Sequence, residues 1–95
     1  MPTMRGLPGT LKDVEAASVK TRSSAIQQLR QKTAITAAGD YGALIVWFDD
    51  DGLFRCEFMR HCKTVNASQF KYLAAVDEWL RKWFPLLNAV ESESN

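Results

Sequence analysis

Ala43–Phe48 reads ALIVWF, six consecutive apolar side chains. The run is the longest of its kind in the chain and falls far short of the roughly 20 residues that span a bilayer. It reads as a strand. A strand sends successive side chains to opposite faces, so this one needs cover on both of them. Asp49–Gly52 (DDDG) follows. An Asp-Gly pair supplies the positive φ angles that tight hairpins require. Leu53–Arg60 then alternates, with Phe54, Cys56 and Phe58 on one face and Arg55, Glu57 and Met59 on the other. Upstream, TAITAA is short and partly β-branched, and AGDYG after it reads as a turn. Together these segments predict a three-stranded antiparallel meander.

Beyond the meander, Cys62–Ala67 (CKTVNA) reads as a connector, and Ser68 as the N-cap of a helix running to about Phe84. Pro85 has no backbone N–H and disfavours helical geometry at Phe84, so the helix should end there. On a 3.6-residue wheel Phe70, Leu73, Val76, Leu80, Trp83 and Phe84 share one face. Lys71, Glu78, Arg81 and Lys82 lie opposite. Tyr72 and Trp79 fall on one flank of the apolar arc. There they either close the seam between helix and sheet or stand exposed as anchors, since aromatics with polar tips dominate interface hot spots. Tyr72 and Trp79 are therefore the candidate partner-binding residues.

The first third of the chain is less regular. Residues 1–9 hold two prolines and two glycines and read as a flexible lead-in. Thr10 is a candidate N-cap, with Asp13 three residues on. Leu11, Val14, Ser18, Ala25 and Leu29 form a weak helical stripe. The intervening SVKTRSS is polar and rich in poor helix formers, which favours a frayed turn followed by a firmer helix over Ser23–Lys32. The expected fold class is α+β: an N-terminal helix, a three-stranded antiparallel meander and a C-terminal amphipathic helix packed on the sheet. It forms one domain over residues 10–87, followed by a disordered, acidic, serine-rich tail over 88–95.

Composition narrows the function classes. With 46% hydrophobic and 24% charged residues the chain has enough apolar material for a core. Its net charge of +1 hides an asymmetry: residues 1–32 carry a net +4 and residues 33–95 a net −3. The basic third, including Arg5, Lys12, Lys20, Arg22, Arg30 and Lys32, motivates an alternative reading as a nucleic-acid-binding surface. No apolar run follows Arg5 as in a secretory signal, so a cytoplasmic protein without membrane contact is expected. Cys56 and Cys62 fit free thiols better than a disulfide framework.

Catalytic and metal patterns are weak. Three adjacent carboxylates, Asp49–Asp51, lack the alternate spacing of a calcium loop. Cys56, His61 and Cys62 lack the second ligand pair of a zinc site. His61 is the only histidine, and neighbouring positions on an extended segment turn it away from Cys62. No metal and no cofactor are expected. The resulting expectation is a small non-catalytic protein–protein interaction module whose partner is another protein or a second copy of the chain. Small domains of this kind often serve as inhibitors or adaptors, including those carried by phages and plasmids. If the two helices do not cover both faces of the sheet, one of the sets Leu44/Val46/Phe48 and Ala43/Ile45/Trp47 is left for a partner.

Overall fold

A computed structural model describes residues 16–89. Its elements run β1 (Ala16–Ser18), α1 (Arg22–Arg30), β2 (Ala34–Ala38), β3 (Ala43–Phe48), β4 (Phe54–Arg60), β5 (Lys63–Phe70) and α2 (Leu73–Trp83), closed by a 3-10 turn over Phe84–Leu87. The strands form one sheet in the order β1-β2-β3-β4-β5. β1 pairs parallel to β2, and every later pairing is antiparallel. The fold is α+β with a five-stranded mixed sheet and two helices, which corrects the expected three-stranded meander and the expected element order.

The hairpin signals hold. β3 and β4 pair with Val46 opposite Cys56 and Phe48 opposite Phe54, and Gly52 takes φ +82° in the connecting turn. Asp49 organises that turn. Its carboxylate accepts from the backbone N–H of Asp51 at 2.9 Å and of Leu53 at 3.1 Å, and also from Arg55 Nε. The β2 strand, the least regular of the expected three, pairs with β3 through Ile35–Ala38.

Two segments differ from the expectation. Residues 63–67 are no connector, and Ser68 caps no helix: both belong to β5, eight residues long. β5 shows no hydrophobic alternation because Asn66 and Ser68 occupy positions opposite Phe58 and Cys56 on the core side. Pairing with β4, rather than its own pattern, makes it a strand. The helix therefore starts later, at Leu73, with Tyr72 as its N-cap. It stops at Trp83, ahead of Pro85, as expected.

The N-terminal helix is shorter than the Leu11–Lys32 stripe and close to its firmer part. Thr21 is its N-cap, and the Thr21 hydroxyl accepts from Ser24 N–H at 3.1 Å. Candidate cap Thr10 and the lead-in over 1–9 lie outside the described residues, as does the tail beyond Ala89. At the far end the Thr33 N–H returns to the Gln28 carbonyl and the Lys32 N–H to the Leu29 carbonyl. This is the hydrogen-bond pattern of a Schellman cap. Lys32, at φ 63°, holds the left-handed position usually given to glycine.

Both helices lie on one face of the sheet. α1 packs on α2 and β2, and α2 on β4 and β5. Between them Ile35, Ala37, Leu44, Val46, Phe54, Cys56 and Phe58 from the strands meet Ala25, Leu29, Val76, Trp79 and Leu80 from the helices. Arg22 Nη1 bonds Asp77 Oδ1 at 2.5 Å, and Arg81 approaches the same carboxylate at 3.7 Å. The first of these pins α1 to α2. At the other end of the sheet Arg60 donates to the carbonyls of Tyr41 (2.9 Å), Leu86 (2.7 Å) and Ala89 (3.0 Å). Gly39 lies so close to the backbone there that a Cβ would collide with the Leu87 carbonyl oxygen.

Candidate protein-binding face

With both helices on one side, strand alternation dictates what the other side carries. Ala43, Ile45 and Trp47 point away from the helices on β3, and Arg55, Glu57 and Met59 do so on β4. The register sets Ala43 opposite Met59, Ile45 opposite Glu57 and Trp47 opposite Arg55. On β5, Gln69 stands opposite Arg55, Ala67 opposite Glu57 and Thr64 opposite Met59. Thr36 continues the face onto β2, opposite Ile45. Among the described residues no helix lies over this side.

The face is mainly apolar and small-polar. Ile45 is only 9% exposed, yet it stands outside the core cluster under the helices. A groove of about 210 Å³ crosses the face, lined by Trp47, Arg55, Glu57, Ala67 and Gln69. At its edge Arg55 turns to the Asp49 carboxylate, with Asp51 Oδ2 at 3.8 Å from its Nη2. Burial opposes ionisation of Asp49, but the hydrogen bonds from Arg55, Leu53 and Asp51, together with the guanidinium charge, hold its carboxyl below the ordinary value. The DDDG turn thus both closes the hairpin and holds Arg55.

The residues singled out from the sequence fall in separate places. Trp79 is buried at 6% exposure, and its indole Nε1 donates to Asn66 Oδ1 at 2.9 Å. Of the two roles open to it, closing the helix–sheet seam is the one the structure gives it. Tyr72 is 68% exposed at the start of α2, so the two do not form one exposed pair. Trp83 packs on Phe58, ring centroids 4.8 Å apart, on the core side expected for it.

The basic set is dispersed as well. Lys20 and Arg30 are exposed. Arg22 is paired with Asp77. Lys32 places its ammonium 4.0 Å from the centroid of the Phe48 ring, a cation–π contact. Two of the four candidate nucleic-acid residues are thus engaged inside the fold.

Cys56 is buried on the core side and its thiol is pushed up to about 12 by burial. Exposed His61 and Cys62 form the two-residue turn between β4 and β5, at φ 56° and 63°. Among the described residues no three of His, Cys, Asp and Glu converge to hold a metal ion, and no helix is long and apolar enough to cross a membrane.

Of the side chains that shape this face, Trp47 enters the sequence reading only within the set Ala43/Ile45/Trp47, and Glu57 not as a partner-face residue. Their signal is the alternation of β3 and β4. That pattern divides the residues into two faces, but which face the helices take depends on where both helices pack. Compared with models of protein families, with curated proteins and with solved structures, the chain finds no match.

Proposed function

We propose that this chain is a small non-catalytic protein–protein interaction module that works through the outer face of its sheet, from Thr36 across Ile45, Trp47 and Glu57 to Ala67 and Gln69. The observation that carries the reading is the placement of both helices on the opposite face. It leaves Trp47 and its neighbours without a covering element among the described residues. Large aromatics on an open, mostly uncharged platform are the usual anchors of protein interfaces. An inhibitor or adaptor role fits a domain whose working surface is a platform rather than a cleft with converging titratable groups.

Site-directed photo-crosslinking in cells that express the chain tests this. A photoreactive phenylalanine analogue at Gln69 or Thr36 is expected to give a discrete adduct. The same group at Glu78, on the exposed side of α2, is expected to give none. Equal adducts from all three positions, or none from the sheet positions, would overturn the reading.

A further inference from the structure

Among the described residues of β2 to β5 that face outward, two are charged, Arg55 and Glu57. Arg55 is committed to the acidic turn through Asp49 and Asp51. The Glu57 carboxylate has no hydrogen bond or ion pair with any described residue. It stands half-buried between Ile45 on β3 and Ala67 on β5. A protein that covers this face without supplying a cation would strip water from an unpaired carboxylate, which is strongly unfavourable.

Trp47 supplies the other half of a subsite. It stands opposite Arg55, and Ile45 stands opposite Glu57, so Trp47 and Glu57 are diagonal neighbours across the β3–β4 pair. Such neighbours lie roughly 7–8 Å apart, and both line the groove of about 210 Å³. An indole with a carboxylate at that span suits a cation on an apolar stem: the stem lies along the ring and the head reaches the carboxylate.

Resting on the reading of this face as a protein interface, we propose that the groove between Trp47 and Glu57 receives a lysine or arginine side chain of the partner protein. The charge of Glu57 selects the cation, and Trp47 selects its stem. Acidic Asp49 and Asp51 at the rim more than offset the charge of Arg55, so the groove and its rim are net negative and Glu57 is the carboxylate left without a cation.

The test is an NMR titration of the full-length, 15N-labelled chain with the N-acetyl methylamides of lysine and arginine. The norleucine analogue serves as the uncharged control. The expected result is a saturable shift of the Trp47 indole N–H and of the Glu57, Ala67 and Gln69 amides with either cation and not with norleucine. In Glu57→Gln, which keeps the shape of the side chain, binding is expected to be about tenfold weaker. An equal response to norleucine, unchanged binding in Glu57→Gln, or no shift at these sites overturns the proposal. So does a shift at these sites on raising protein concentration without probe, which would identify a second copy as the occupant. Cross-links from Gln69 and Thr36 that persist while the titration fails would leave the face an interface and remove only the basic side chain.

Discussion

Trp79 Nε1 donates to Asn66 Oδ1 at 2.9 Å, and Ser68 Oγ meets the same oxygen at 2.9 Å. This small network explains how polar residues come to face the helix from β5. The indole covers them with its ring and satisfies the amide oxygen with its N–H. Trp79→Phe keeps most of the ring and deletes that bond, at an expected loss of about 1–2 kcal/mol. Trp79→Ala also opens a cavity and should lose about 3–5 kcal/mol. Urea denaturation of the two variants checks both: no loss in Trp79→Phe would mean that the hydrogen bond contributes nothing, and equal losses that the ring adds nothing beyond it.

Asp49 links stability to pH. Its carboxyl is held below the ordinary value because bonds from Arg55, Leu53 and Asp51 outweigh the opposing effect of burial. A lowered folded-state value means that the contribution is present above the unfolded value of about 3.9 and is lost as pH falls through the folded one. Asp49→Asn retains an acceptor for the two backbone bonds and loses the charge. At pH 7 it should be less stable than the parent by no more than about 1 kcal/mol, the scale of a partly exposed ion pair. The gap should close as pH drops below the ordinary carboxylate range. A gap that is constant from pH 7 to pH 2.5, followed by chemical denaturation, would exclude the ionic contribution.

The β4–β5 turn places two non-glycine residues, His61 and Cys62, at positive φ. Two-residue hairpins favour Asn-Gly at such positions because the left-handed region is disfavoured for residues with larger side chains. Replacing His61-Cys62 by Asn-Gly should therefore raise stability, by about 1 kcal/mol or more. Thermal denaturation decides it, and a lower Tm would show that His61 or Cys62 makes a stabilising contact that outweighs the strain.

Thiol reactivity separates the two cysteines. Cys56 is buried and its thiol is pushed up to about 12, while Cys62 is exposed. In the native protein one thiol should react rapidly with a disulfide reagent at pH 8, and the second only on unfolding. The Cys62→Ser variant should lose the fast phase. Two fast thiols in the parent would show that the core around Cys56 opens readily.

Much of the fold is legible in local patterns, for identifiable reasons. The apolar run at Ala43–Phe48, the Asp-Gly turn and the alternation through Arg60 specify the β3–β4 hairpin without help from elsewhere. The stripe from Leu73 through Trp83 and the stop at Pro85 do the same for most of α2, and polar SVKTRSS correctly weakens the first part of the N-terminal helix. Other positions carry no such pattern. Lys32 ends α1 in a left-handed conformation without the usual glycine, so the helix end has no composition cue. Trp79 lies at the edge of the apolar arc on a wheel, where inward and outward positions differ by a small rotation.

What the sequence determined by itself is the set of segments whose side-chain period matches one secondary structure, because that period depends only on the residues within the segment. Tertiary structure decided the rest. β1 is three residues long and exists as a strand through its parallel pairing with β2. β5, with Asn66 and Ser68 turned inward, depends on β4 for its pairing and on Trp79 for its polar contacts. The open face was decided in the same way. Alternation sorts Trp47 and Glu57 away from Val46 and Cys56, but only the docking of α1 against α2 on one side of the sheet leaves the other side without a covering helix among the described residues.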